Sequence, residues 1–348
     1  MNRSMTITMF ATLFLSILPA HSLAASAEME EGGDLEALES LLTVLDEQTD
    51  IATKTRMNVD FVPGLVTVLH GQEMLERGAL TVWEALRFVP GIEPSIDKTG
   101  GRQVLVRGVG GGFASGNMKI LLNGVPFNAT LAATADPVLN LPLEQIKQIE
   151  VIRGPGSAVH GEFAYAGVIN VMTLEDEQKG FVRGGSFDTY LVGVMGKVQP
   201  KSKSWSLNYN GSAWQTHGNR ELYADDGLFN NPSYGGLQSQ TNTPGYTNEG
   251  LQSRAMLMDF VYGDYGLSLK YVEDGHGDHY GTVHALSEPY SGISYRNKFL
   301  SLEGRGRLEV AKDVQLDAKL GWMHYANAID LAILPYYHSM FKFSALDI

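Results

Sequence analysis

Cysteine is absent from all 348 residues, which removes disulfide staples, thiolate metal sites and cysteine nucleophiles and fits an exported chain that folds without oxidation. Positive charge is scarce: 26 lysines and arginines face 39 acidic residues, a formal net charge of -13. That balance argues against a nucleic-acid partner or a general anionic-lipid binder. Beyond the N-terminus no run of about 18 apolar residues occurs, so a mature chain that crosses a membrane must cross it as a closed β-barrel. No Ser/His/Asp or paired-carboxylate arrangement stands at catalytic spacing either, so no catalytic residue and no cofactor is expected.

The N-terminus reads as a secretory signal: Arg3 gives a positive start, Ile7 to Leu18 is mostly apolar, and Ala25-Ser26-Ala27 offers a small-x-small cleavage pattern. Residues 1–27 are assigned to it, with the mature chain starting near Glu28 and cuts after Ala24 or Ala25 as alternatives. Glycine (39) and tyrosine (15) are plentiful and the hydrophobic share is 44%, a composition that suits a turn-rich β protein better than a helical bundle.

Residues 28–58 form an acidic N-terminal segment, with Leu35, Leu38, Leu41, Leu42 and Leu45 at helical spacing. From Val59 the texture changes. Leu65 to Leu69 is a short β-branched run, Gly71 to Leu75 and Leu80 to Phe88 look helical, and Pro90-Gly91 stops the second helix. Strands are expected at Gln103 to Arg107, Met118 to Leu122, Ile149 to Ile152 and Val168 to Met172, with a helical turn near Leu143 to Ile146. Together, 59–173 is a small mixed α/β domain.

After Gly180 a period of two takes over. Trp205, Leu207, Tyr209 and Ala213 alternate with Ser204, Ser206, Asn208, Asn210 and Ser212, and the pattern recurs at Tyr265 to Glu273, Leu300 to Glu309 and Val314 to Tyr325. A soluble sandwich also alternates, so the connections discriminate. Tight turns at Pro200-Lys201-Ser202, Gly263-Asp264 and Ala311-Lys312-Asp313 contrast with the long polar stretches Thr216 to Gly250 and Asp274 to Ser294. Short turns at one end and long loops at the other are the pattern of an outer-membrane barrel. Tyr190, Trp205, Trp214, Tyr262, Tyr271, Trp322 and Tyr325 are expected in its interfacial aromatic girdles. About seven strands are present by Tyr325, and an open sheet of that size would leave an edge exposed in lipid.

Several stretches resemble the plug domain of TonB-dependent outer-membrane receptors. They are Thr81 to Ile92 with its Pro90-Gly91, Val104-Leu105-Val106-Arg107-Gly108, Ile120 to Pro126 with Asn123-Gly124, Ile149 to Gly161 with Glu150 and Arg153-Gly154-Pro155-Gly156, and Ala166 to Thr173 with Gly167 and Asn170. The family more often has Asp-Gly at 123–124 and Tyr where His160 stands. The resemblance implies an α+β plug, 59–173, seated in a transmembrane antiparallel β-barrel of about 22 strands. Residues 180–348 would be an incomplete part of that barrel, about a third of it, so a truncated or fragmentary gene product is expected.

The resemblance also implies energised uptake of a scarce ligand, an iron-siderophore first and cobalamin, haem or another chelate next, driven by the TonB-ExbB-ExbD complex from the inner membrane. Outer-membrane lipid would surround the barrel, with plug and N-terminal segment reachable from the periplasm. The segment before the plug is too short for an additional signalling domain. The energy-coupling box, which pairs with its partner as an added strand, is expected at Thr49, Asp50, Ile51, Ala52 and Thr53, just after Gln48. Gly110, Gly111, Gly112 and Phe113 are candidate ligand-facing residues of a plug loop; no Lys-Ser/Thr follows, which excludes a phosphate loop.

Two readings of the charged residues follow. Arg107, Glu150 and Arg153 beside apolar strand positions require partners if enclosed, and a salt-bridged network within the plug or to the barrel is expected. The histidines of His276, Asp278, His279 and His284 are capable ligands, but they fall in a polar, Gly-rich stretch that reads as an external loop, and no metal is assigned. A passive channel or adhesion barrel with an ordered N-terminal domain stays open as the alternative function.

Overall fold

The computed structural model of the chain describes residues 48–49, 57–58, 65–97, 99–107, 118–129, 135–154, 160–175, 177–219, 223–225, 233, 242, 244–281, 285–286, 292–311, 314–334 and 337–347. All of them belong to one compact unit, Glu47–Ile348. The expected signal peptide, the amphipathic stretch after it, and Gly108 to Phe113 lie outside the described residues.

A minimal ladder comes first: β1 (Gln48–Thr49) pairs antiparallel with β2 (Met57–Asn58), Thr49 opposite Met57. The plug proper starts with β3 (Leu65–His70), followed by α1 (Gly71–Glu76) and α2 (Val82–Ala85). Its sequence explains why α2 starts where it does. The Thr81 hydroxyl accepts the Glu84 N–H at 3.3 Å, while the Glu84 carboxylate accepts the Leu80 N–H at 2.9 Å, a relative of the Thr-x-x-Glu capping box in which the return bond falls on the residue before the cap. A 3-10 turn, Leu86–Phe88, carries the chain to Pro90, and Gly91 leaves it at a φ of 78° that glycine alone adopts without strain.

Next, β4 (Ile92–Ile96) and β5 (Arg102–Val106) form a separate hairpin. The sequence reading missed β4 because Pro94 sits inside it. The proline is tolerated because β4 has a neighbour on one side only. Asn123 (φ 50°) and Gly124 (φ 77°) make the two-residue turn between β6 (Met118–Leu122) and β7 (Val125–Pro126), both in the left-handed region that a type I′ hairpin requires. A short helix the sequence did not disclose, α3 (Asp136–Leu139), and a 3-10 turn at Leu143–Gln145 lead into β8 (Ile146–Arg153) and β9 (Gly167–Thr173).

The plug sheet runs β3-β8-β9-β6-β7, with β6 parallel to β9 and every other pairing antiparallel. Met74, Leu86, Ile120, Phe127, Leu139, Leu141, Leu143, Ile146 and Ile149 are fully buried around it. Each such side chain contributes about 1.5–3 kcal/mol of burial, so the apolar faces of α1, α2 and β8 suffice to fix the plug's layering.

From Lys179 onward the chain is an antiparallel meander of eight long strands: β10 (Lys179–Gly185), β11 (Thr189–Val198), β12 (Trp205–Thr216), then, past a two-residue ladder of β13 (Tyr223–Ala224) and β14 (Gly245–Tyr246), β15 (Leu251–Tyr262), β16 (Tyr265–His276), β17 (Tyr295–Ala311), β18 (Val314–Leu334) and β19 (Tyr337–Asp347). Seven of the eight are the strands expected by Tyr325; β19 is the addition. The order β10-β11-β12-β15-β16-β17-β18-β19 does not close on itself. No described helix is long and apolar enough to cross a membrane.

Alternation places the polar residues inside. On β16, Ser268, Lys270 and Asp274 are buried toward the plug while Leu267 is 50% exposed; on β10 and β18, Val182 and Leu320 reach 82% and 73%. An apolar outer surface over a polar inner one is the reverse of a soluble sandwich and matches a barrel wall. Two aromatics depart from the girdle expectation, for Trp214 and Tyr325 are buried against the plug. Their parity is the reason: they have the opposite parity to Trp205 and Leu207 on β12 and to Leu320 and Trp322 on β18, so the pleat turns them inward.

Candidate functional site: the plug and its seam with the wall

Hydrogen bonds tie the plug motif residues to their neighbours in the sheet. Glu150, buried in the middle of β8, accepts from the Gln148 side chain at 2.8 Å and from Asn170 Nδ2 at 3.3 Å. Asn170 Oδ1 accepts the Gly124 N–H at 3.0 Å, and Asn123 reaches Thr173 twice, at 2.9 Å through its own Nδ2 and at 2.9 Å from the Thr173 N–H. The Asn123-Gly124 turn is thereby clamped to β9. Arg153 donates to the Pro90 carbonyl at 2.8 Å and to the Thr67 hydroxyl at 2.9 Å, tying the end of β8 to the Pro-Gly turn.

Salt bridges were expected of Arg107 and Arg153, and the structure differs. Neither makes an ion pair among the described residues; Arg107 is exposed at a φ of 51° and gives its backbone N–H to Gly91 O at 2.9 Å. The physical reason is that carbonyls at the turn between Pro90 and Gly91 supply acceptors without the desolvation of a second charge. Gly154 takes a φ of 137° and Gly167 approaches the β8 backbone so closely that a Cβ would stand 2.2 Å from Ile152 O. Pro155, Gly156, Gly108, Gly110, Gly111, Gly112 and Phe113 lie outside the described residues, as do Asp50, Ile51, Ala52 and Thr53; Thr49 lies in the β1–β2 ladder.

The plug meets the wall along a seam that sequence reasoning did not find. Trp214 on β12 donates its indole N–H to the Asn140 carbonyl at 2.8 Å, and Asn140 Nδ2 donates to Asp274 Oδ2 at 3.3 Å, both buried. Asp274 Oδ1 accepts from Asn297 at 3.0 Å, and Asn297 in turn accepts from the Tyr325 hydroxyl at 3.1 Å and from Asn327 at 2.7 Å. Lower on the wall Phe127 of the plug tilts against Phe299, whose ring lies 4.7 Å from Tyr325. An ion pair of the expected plug-to-wall kind does occur, between other residues: Arg183 of β10 and Glu144 of the plug at 2.7 Å, both mostly shielded from water. Strand parity could have disclosed Trp214 and Asp274. Nothing in the sequence marks Asn140 or Glu144.

Above the seam, at the end of the sheet that carries the long connections, a cavity of about 320 Å³ opens between the two parts, lined by Ile96, Gly100 and Arg102 of the plug and by Glu249, His276 and His279 of the wall, among others. Gly100 (φ 91°) belongs there because a Cβ would stand 2.7 Å from Gly277 O and 3.1 Å from His276 Nδ1. The Arg102 guanidinium lies 4.3 Å over the Trp83 ring, and burial lowers its pKa.

Behind His276, which lines the cavity, Asp136, Asp274 and His276 converge, each offering a ligand atom within 4.8 Å of the others, all three buried. Asp136 Oδ1 accepts the Arg102 backbone N–H at 2.6 Å. Burial holds the Asp136 carboxyl above the ordinary carboxylate range, partly opposed by His276 and by that N–H. His276 stacks on Tyr295 at 4.8 Å and its Nδ1 lies 2.8 Å from Gly277 O. The sequence placed His276 in an external loop; it is instead the last residue of β16, 5% exposed, opposite Tyr295 and Leu251 in the sheet. Its glycine neighbours gave the loop appearance. His279 sits apart, with Nε2 at 3.4 Å from Glu249, and His284 lies outside the described residues.

This architecture has counterparts. Residues 58–168 match the family described as the TonB-dependent Receptor Plug Domain. The vitamin B12 transporter BtuB of Vibrio vulnificus is 39% identical over 115 residues, 32% of this chain and 18% of the relative. A crystal structure of the ferric enterobactin receptor PfeA of Pseudomonas aeruginosa superimposes with a TM-score of 0.55 at 18% identity, covering 82% of this chain and 45% of that one. The FpvAI–pyocin S2 complex gives 0.51 at 14% identity, over 81% and 46%. The chain thus spans less than half the length of these relatives. Residues 58–168 carry a TonB-dependent receptor plug domain, and the antiparallel strands that follow share the fold of the corresponding strands in receptor barrels.

Proposed function

We propose that the chain is the gate-bearing part of an outer-membrane importer that takes up a metal chelate, an iron-siderophore first among them, with energy delivered by the TonB-ExbB-ExbD complex. The observation that carries this reading is the seating of an intact plug sheet against a wall whose outer surface is apolar, joined by the buried Trp214–Asn140–Asp274 chain. A plug held by a few directional bonds is a part that can be moved without dismantling the barrel. We assign residues 1–27 to the signal peptide, 28–58 to the periplasmic segment, 59–173 to the plug and 180–348 to barrel. The long-loop end, with the cavity at Arg102 and His276, then faces the medium, and the short-turn end faces the periplasm.

A second cargo is favoured by one observation: the 39% identity to a vitamin B12 transporter falls on about the length of the plug. Uptake tests both. Cells that depend on the gene encoding this chain are offered single ferric-siderophores or cobalamin as sole source, with and without an uncoupler. Growth on one of these that the uncoupler abolishes is the expected result; accumulation indifferent to the uncoupler means a passive channel and overturns the reading.

A further inference from the structure

The cluster behind His276 has a charge imbalance that the uptake reading does not use. Asp136 comes from the plug helix α3, and Asp274 and His276 from the wall strand β16, so the three converge only when plug and wall are joined. Both carboxylates are essentially without solvent contact. Among the described residues no lysine or arginine stands within ion-pair distance of either. Arg102 bonds Asp136 through its backbone N–H, while its guanidinium, stacked on Trp83, acts on the two carboxylates from beyond contact distance. Two buried carboxylates without a cation are costly.

The surroundings are arranged for a ligand rather than for a proton alone. If His276 Nδ1 donates to Gly277 O, the tautomer leaves the Nε2 lone pair for coordination, and the stack on Tyr295 fixes the ring plane. A backbone carbonyl on the far nitrogen is the usual orienting partner of a metal-binding histidine. Each carboxylate is likewise held by a neighbour, Asp136 by the Arg102 N–H and Asp274 by Asn297 and Asn140. Independently, the Asn140 side chain is completely buried, touches Asp274 through Nδ2, and leaves its Oδ1 with no partner. The amide that holds Asp274 thus leaves a buried oxygen with no donor or cation against it. His276 belongs both to the cluster and to the lining of the adjoining cavity.

We propose that Asp136, Asp274 and His276 form a site for a resident divalent transition-metal cation that fastens the plug to the barrel wall. Two carboxylates and a neutral imidazole balance a charge of +2. The mixed nitrogen and oxygen donor set suits zinc, manganese or ferrous iron and disfavours calcium and magnesium, which take oxygen donors. The inference goes beyond uptake, since the cation belongs to the protein and not to its cargo, and occupancy is measured with no cargo present.

The test uses the full chain, refolded in detergent, stripped with chelator, loaded with zinc and passed through gel filtration. About one zinc per chain is expected, with an X-ray absorption shell of nitrogen and oxygen donors containing a single imidazole. Asp136→Asn and His276→Gln should each weaken zinc binding by about 10-fold or more. A chain that retains no stoichiometric zinc overturns the proposal. So does a shell with two or more imidazoles, or zinc lost on His279→Gln and kept on His276→Gln, since the loop histidines would then be the site. If either variant fails to refold, the wild-type stoichiometry and absorption shell decide alone.

Discussion

Trp214 of the wall gives its indole N–H to the backbone carbonyl of Asn140 in the plug across 2.8 Å, in a position closed to water. This bond joins residues from different domains, and its loss leaves a buried carbonyl without its donor. Trp214→Phe keeps an aromatic side chain but removes the N–H together with the second ring of the indole. The expected loss is about 1–3 kcal/mol for the buried carbonyl deprived of its partner, with the cost of the cavity added to it. Urea unfolding of the refolded chain in detergent reads it, and an unchanged midpoint would show that the bond does not hold the plug.

Arg183 and Glu144 span the same seam, 2.7 Å apart and largely shielded, with Arg183 in the row of the sheet that holds Leu191 and Trp214. Exposed ion pairs contribute little, but shielding from water strengthens the attraction and penalises the survivor when one partner is removed. Arg183→Met and Glu144→Gln should each destabilise, and the double variant should lose less than their sum. A coupling of about 1–3 kcal/mol is expected from the double-mutant cycle. Additive losses would mean that the two side chains stabilise independently.

Gly167 opens β9 with its Cα against β8, where an added Cβ would stand 2.2 Å from Ile152 O and about 3 Å from Met118 atoms. The obstruction is backbone, which cannot rotate away. Gly167→Ala should therefore separate β8 from β9 and lower stability by about 3 kcal/mol, at the upper end of overpacking effects. Gly124→Ala meets no atom within 4 Å, and its strain is confined to the positive φ of the turn, about 1 kcal/mol. Circular dichroism through a urea gradient ranks the two, and the reverse order would refute the steric argument.

These positions also show how far the sequence could be read. Asn123-Gly124 and Pro90-Gly91 were visible because their conformations are decided within a few residues; the Thr81 cap is as local, and the sequence reading passed over it. The wall was visible because a period of two survives in any strand with one wet face and one apolar face. The seam was hidden for the opposite reason: Asp136 and Asp274 are far apart in sequence, and only the closure of wall on plug makes them neighbours. Trp214 was misassigned to a girdle although its parity with Ser212 and Asn210 pointed inward. His276 was misassigned to a loop because Gly275 and Gly277 flank it, while the pairing with Tyr295 that keeps it in the strand is a tertiary fact. Pro94 hid β4, because a proline in a strand is acceptable only at an edge, and edges are not written in a single strand's sequence.

The energy-coupling segment is the remaining assignment that mutation can decide. We propose that it lies at residues 48–53, of which Gln48 and Thr49 pair with Met57 and Asn58 in a ladder of two residues a side. So short a ladder buries little and is easily exchanged for pairing with another strand, which is how an extended segment is captured by β-augmentation. Deleting 48–53 from the gene that encodes this chain should leave cargo binding at the cell surface within about twofold of wild type and abolish uptake into the periplasm. Replacing the same residues by a Gly/Ser stretch of equal length separates sequence from reach, because it preserves the tether and removes the side chains. If uptake survives both changes while binding is intact, the coupling segment lies elsewhere. If binding is lost with uptake, the segment is part of the plug's fold and not its handle.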